Sequence, residues 1–284
     1  MIGKFGSALG VIFRGVGQVM LQENALTGLL LLVGIFYGSI SMGLAALLAT
    51  VCGSLTARAL GFGNANLRKG LYGFSAALVG VAVMLFLRLS LVAWAIVIVG
   101  AALAAVLQHL FIKLKIPAFT LPFVLVTWKI LFVCRTFCAD LLAVPTPALA
   151  NSWDSLADGF KGFGQVIFQP SLVSGLLFFL AVFISSPIAA LYGLFGAIVS
   201  AMLAFAFAAP ITDINLGIYG FNAVLCSLVF AGNRVRDGFW VLIAVLLSLA
   251  ISMLMMRLHL TQLTFPFVLA TWITLLLKRL LPKS

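Results

Sequence analysis

Two threonines and two glutamines are the groups in this sequence best placed to act on a solute. Thr120 lies in FTLPFVLVTW (119–128) and Thr264 in LTFPFVLATW (263–272), each two residues ahead of a proline. Gln18 lies in GQVMLQ (17–22) and Gln165 in GQVIFQ (164–169). Hydroxyls and carboxamides donate and accept hydrogen bonds but carry no charge at neutral pH. Their chemistry is therefore recognition: they can replace the water around a small, neutral, polar molecule. Buried in an apolar setting without a partner, each would be costly. A proline inside an apolar helix adds to this, because it leaves an upstream carbonyl to find another partner or to line a polar cavity. The structural alternatives stay open here: a glutamine bridging two helices, or a threonine bonded back to its own helix.

The recurrence of these groups is what singles them out. Seven of the thirteen positions in 116–128 recur in 260–272, 144 residues later. The GQV segments and the pair LYGFSA (71–76) and IYGFNA (218–223) recur at 147. Order is kept throughout, so the chain reads as two copies of one unit. Internal symmetry of this kind is typical of membrane transporters and channels, with the solute path at the repeat interface.

The elements that must hold these residues are membrane helices. The chain has 284 residues, 64% hydrophobic and 8% charged, with a mean hydropathy of +1.27. Soluble domains carry about 25% charged residues. Stretches such as Leu26–Thr56 and Leu89–Phe111 are long enough to cross about 30 Å of hydrocarbon. Period-two alternation is missing, which argues against a membrane barrel. Arg14 interrupts the first apolar run and no small-residue cleavage site follows, so the start does not read as a cleaved leader. Cys52, Cys134, Cys138 and Cys226 lie in apolar sequence without a Cys-x-x-Cys pair and read as small buried hydrophobes.

The net charge of +11 reads as loop asymmetry and not as nucleic-acid binding. The loop Arg58–Lys69 is basic, whereas its counterpart Phe205–Leu216 has no Lys or Arg and contains Asp213. Arg234 and Arg236 face a counterpart loop holding Arg88 alone. The basic side alternates between halves, as inverted copies require. The expected fold is thus an all-α polytopic membrane protein with two inverted repeats of about five transmembrane segments each. Residues 1–138 form the first repeat, 139–160 an extramembrane linker and 161–284 the second, with the pore between the repeats. With both termini cytoplasmic, eleven Lys and Arg fall inside and four outside. The breaks near Gln22–Asn24 and Gln169–Pro170 point to short re-entrant half-helices lining a cavity.

No Asp or Glu recurs within the repeated apolar segments, and Lys129 has Ile273 as its counterpart. Coupled transporters normally keep ionisable or carbonyl-built ion sites in the membrane. Catalytic triads, metal clusters, phosphate loops and redox motifs are all missing from the pattern, so an enzyme, a metal site or a cofactor is not expected. His109 and His259 are not repeat partners, which weakens an ammonium-channel reading.

With the paired Leu-Pro-x-x-Thr-x-Pro-Phe-type motif, the paired GQV and the paired YGF[SN]A, the chain resembles the urea transporter family, bacterial type, from about Gly15 to Trp272. That resemblance implies a homotrimer in an inner (cytoplasmic) membrane, each protomer conducting urea passively through its own selectivity filter. By motif, Gln18, Gln165, Thr120 and Thr264 would supply edge and mouth groups. Phe74, Leu78, Phe221 and Leu225 would form the walls, and Phe168 the ring of the second slot. Leu21 stands where the family has an aromatic, Thr261 where it has proline, and Ile116 where it has leucine. Other small neutral solutes, such as short amides or ammonia, and ion-coupled transport are the alternative expectations.

Overall fold

The computed structural model describes residues 2–144 and 155–280. The middle of the expected linker, 145–154, and the C-terminal residues 281–284 with Lys283 lie outside the described residues. The chain divides into two compact units, Met1–Pro147 and Ala148–Ser284.

The first unit contains α1 (Ile2–Gly17), a 3-10 turn (Gln18–Met20), α2 (Ala25–Gly38), α3 (Ile40–Ala59), α4 (Asn64–Arg68), α5 (Phe74–Phe86), α6 (Leu91–Lys113) and α7 (Leu121–Phe137). The second contains α8 (Ser155–Gln165), α9 (Leu172–Ser185), α10 (Pro187–Ala206), α11 (Ile211–Asn215), α12 (Phe221–Phe230), α13 (Val235–Arg257) and α14 (Phe265–Leu280). Each of the seven described α-helices of the first unit has a counterpart in the second, in the same order.

Helix starts are written by local chemistry that also recurs. Asn24 Oδ1 accepts from the Leu26 and Thr27 amides (2.8 and 3.3 Å), and its counterpart Ser171 accepts from Ser174 (3.1 Å). Each such cap is worth about 1 kcal/mol. Ser39 and Ser186 do more, because each ends one helix and caps the next, accepting from Met42 and Ala189. The apolar run Leu26–Thr56 is therefore two helices, broken where an extended serine offers the backbone a side-chain acceptor.

Among the described residues, α3, α6, α10 and α13 are long and apolar enough to cross a membrane. Ala8–Met20 with Ala25–Gly38 forms a further candidate, bent by 74°. α5, α9 and α12 are shorter apolar helices. Ten consecutive residues of α5, Phe74–Val83, are buried, as are nine of the ten in α12. Helices apolar all round belong inside a larger assembly of helices. This is an all-α, multi-pass membrane protein.

The backbone is duplicated in fine detail. Ten described residues have a left-handed φ, and they form five pairs 147 or 144 apart: Leu21 with Phe168, Gly61 with Ala208, Gly70 with Gly217, Lys115 with His259, and Phe119 with Leu263. The packing is duplicated as well. Ala57, Tyr72 and Ala105 cluster in the first unit, and Ala204, Tyr219 and Leu249 at the matching positions of the second. Where a small residue changes, its neighbour compensates. Gly80 lies against Ala49 in the first unit, and Gly196 against Ser227 in the second, so the glycine has moved to the other helix.

Two sequence readings need correction. Cys134 and Cys226 are buried, but Cys52 is only half-buried and Cys138 is exposed. Cys138 is the residue that ends α7, one turn beyond buried Cys134, and so lies past the helix's packed part. Pro122 and Pro266 do not interrupt helices. Each is the second residue of one, where the missing amide would lack a helical partner anyway.

Candidate functional site

The two broken segments close in the same way. Leu21 N–H donates to the Gln18 carbonyl (2.9 Å) and Gln22 N–H to Gly17 (3.1 Å); Phe168 donates to Gln165 (3.1 Å) and Gln169 to Gly164 (2.9 Å). This is the Schellman closure, whose left-handed residue is usually glycine. Here it is Leu21 and Phe168, both at φ 57°. A side chain in this conformation costs about 1–2 kcal/mol, which glycine would avoid. Both side chains are half-buried.

Two glutamines that sequence reasoning passed over satisfy the breaks. Gln22 and Gln169 are buried, and each donates its amide back to the carbonyl two residues before it, at Met20 (3.0 Å) and Ile167 (3.3 Å). Their signal was present as the final Gln of both GQV segments. The expected site glutamines, Gln18 and Gln165, are half-buried. Gln18 donates to the Lys69 carbonyl at 3.1 Å, tying the turn to the segment after α4. Arg14 does likewise to Arg68, at 2.7 Å.

The glycines of these segments let the backbones meet. A Cβ on Gly28 would run into the Phe13 carbonyl, and one on Gly175 into the equivalent Phe160 carbonyl. This brings α1 against α2, and α8 against α9, at backbone contact.

The threonines begin helices instead of sitting within them. Leu121 N–H bonds to Ala118 (2.9 Å) and Phe265 N–H to Gln262 (3.1 Å), closing tight turns whose third residues are Thr120 and Thr264. The residue before each threonine is left-handed, Phe119 at φ 47° and Leu263 at φ 45°. Both threonines are buried, at 0% and 1% exposure. Strain of this kind persists only where surrounding structure over-determines it, and it concentrates at functional sites.

Within the first unit, α5 brings the expected residues together. It carries Phe74 and Leu78 one turn apart and packs against the Gln18–Met20 turn and against α7, which Thr120 begins. In the second unit α12 carries Phe221 and Leu225 and packs against α8, which ends at Gln165, and α14, which follows Thr264. All four wall residues are buried.

The second unit shows one further group at this site. Asn222, next to Phe221 and 1% exposed, accepts from the Phe267 amide at 3.1 Å. Its amide nitrogen lies 3.4 Å from the Leu263 carbonyl and 3.4 Å from Ser252 Oγ. Its signal in the sequence was a difference, since YGFSA becomes YGFNA at this position.

Acidic groups do not share this duplication. Asp158 is buried and pairs with Lys161 at 3.3 Å, but Val11 is its counterpart. Burial pushes the Asp213 carboxyl up, and Asn66 is its counterpart. The Tyr219 phenol is pushed up by burial and by Asp213, against the opposing effect of Arg257. His109 stacks on Phe62 (3.7 Å between centroids, 2° between planes) and meets the Tyr72 hydroxyl at 3.2 Å. His259 serves as a left-handed closure opposite Lys115 in the repeat. No group of three or more His, Cys, Asp or Glu among the described residues is arranged to hold a metal. The arrangement offers amide and hydroxyl oxygens beside rings and aliphatic walls.

Comparison with known proteins agrees with this chemistry. A family model described as urea transporter matches residues 9–279. Urea transporter 1 of Rattus norvegicus is 28% identical over 291 residues, covering 94% of this chain and 76% of the relative. Urea transporter 1 of Mus musculus gives the same values, and that of Ovis aries is 26% identical over the same coverage.

Proposed function

Because the chain belongs to the urea transporter family, we propose that it conducts urea across a membrane passively, down its gradient and in a channel-like way. Thr120, Thr264, Gln18 and Gln165 offer oxygens to the solute's N–H edges. Phe74, Leu78, Phe221, Leu225, Leu21 and Phe168 face its flat sides. Urea is planar and neutral, with four N–H donors and one strong acceptor. Oxygens along its edge replace lost water, while apolar walls reject hydrated ions, whose desolvation is far costlier. Several weak sites in series also permit fast exit.

The observation that carries this reading is the pairing of buried Thr120 and Thr264 at matching helix starts, each behind a left-handed residue. Such positions hold a hydroxyl in place without an ionisable neighbour recurring beside it. The reading makes the chain a transporter and not an enzyme. The excess of Lys and Arg in alternating loops supports cytoplasmic termini, and the family resemblance supports an inner membrane. The family resemblance supports a homotrimer whose protomers each carry a filter, and light scattering of the purified protein tests that number. Urea efflux from proteoliposomes, followed by stopped-flow light scattering, tests the function. Rates equal to those of protein-free vesicles would overturn it.

A further inference from the structure

The start of α14 has its backbone donors accounted for, and one of the partners is a side chain from another helix. Phe265 N–H bonds to Gln262, Pro266 has none, Val268 N–H bonds to Thr264 (3.2 Å), and Phe267 N–H bonds to Asn222 Oδ1 (3.1 Å). The first four amides of a helix have no partner within it, so this side-chain acceptor replaces a solvent that the interior lacks. The same carboxamide approaches the carbonyl of Leu263. Asn222 therefore spans Thr264, touching the residue before it and the residue three after it. Leu263 is the left-handed residue of that segment, so the bond falls where the backbone is strained. Ser252 on α13 completes the set.

The counterpart positions in the first unit are Ser75 on α5 and Gln108 on α6, both buried. The second unit has its amide on the short helix and its hydroxyl on the long one. The first unit has the two exchanged, with Ser75 Oγ and Gln108 Oε1 left without hydrogen-bond partners among the described residues. The exchange keeps one carboxamide and one hydroxyl per unit, on the same pair of helices.

We propose that Asn222 is the positioning residue for Thr264, its carboxamide fixing the strained Leu263–Phe267 segment so that the hydroxyl meets urea at one depth along its path. The inference rests on Thr264 lining that path. Ser252 Oγ lies 3.4 Å from the Asn222 amide nitrogen, so a longer carboxamide at position 252 is placed to take over the same backbone groups once position 222 is cut back to serine.

The test is urea and methylurea flux in proteoliposomes of the full chain for wild type, Asn222→Ser, Asn222→Ser/Ser252→Gln and Thr264→Val. Asn222→Ser should slow urea roughly tenfold, the scale of one lost buried hydrogen bond to the segment. It should shift the methylurea-to-urea ratio in the same direction as Thr264→Val. The exchanged double variant should restore both flux and ratio, which a merely structural defect in packing would not do. Wild-type flux and ratio in Asn222→Ser, with Thr264→Val slowed, would overturn the positioning role alone. Wild-type behaviour in Thr264→Val as well would remove the threonine from the path, and this inference with it. If Asn222→Ser fails to fold, the double variant decides: folded and conducting supports the role, while unfolded or silent overturns it.

Discussion

Leu21 and Phe168 lie 147 residues apart and share one backbone conformation, φ 57° in each, closing two broken helices by the same pair of hydrogen bonds. Glycine is the least strained occupant of such a position, so the two side chains are there for what they touch. Their difference, an aliphatic against a ring, makes the two closures unequal.

Leu21→Phe places a ring on a backbone already shaped like the one that carries Phe168. The variant is expected to slow methylurea relative to urea by roughly fivefold, the effect of about 1 kcal/mol of steric discrimination. An unchanged flux ratio in stopped-flow efflux would separate Leu21 from the solute path.

Ala208 is exposed and left-handed at φ 55°, while its counterpart at φ 68° is Gly61. Ala208→Gly should stabilise the protein by about 1 kcal/mol, and Gly61→Ala should destabilise it by about as much. Thermal melts in detergent read both, and shifts of the same sign would contradict the account.

Gly28 and Gly175 meet carbonyls of the preceding helix, at Phe13 and Phe160. Backbone cannot yield as a flexible side chain can. Gly28→Ala and Gly175→Ala should each cost about 3 kcal/mol or more, seen as lost monodisperse protein or a large fall in melting temperature.

Burial raises the Asp213 carboxyl above its ordinary range. Between the ordinary and the raised value the folded protein holds a proton that the unfolded chain has released. The stability present below the unfolded value is therefore lost as pH rises through the folded one. Asp213→Asn, which restores the residue type of Asn66, should melt higher than wild type at neutral pH. The two curves should converge below about pH 4. A gap independent of pH would assign the effect to packing.

The duplication was legible in the sequence because motif pairs fall at constant offsets, and so was the membrane, because composition alone requires it. Thr120 and Thr264 were legible as positions but not as a conformation. A proline two residues on reads equally as a kink or as a first turn, and only the closure of the preceding turn decides. Ser39 hid its break inside an unbroken apolar run, since one serine among hydrophobic residues gives no periodic signal. Asn222 was missed because repeats draw attention to identity, whereas its role shows in a difference. The exchange with Ser75, Gln108 and Ser252 becomes visible only once α5 is seen against α6 and α12 against α13.

The most direct test of the account compares urea equilibration in proteoliposomes of wild type, of Thr120→Val/Thr264→Val and in protein-free vesicles. Valine keeps the shape of threonine and removes the oxygen. Wild type is expected to equilibrate far faster than protein-free vesicles, and the folded double variant to fall at least roughly tenfold below wild type, as loss of two hydrogen-bonding oxygens implies. Wild-type rates no faster than those of protein-free vesicles, or a folded double variant as fast as wild type, would contradict it.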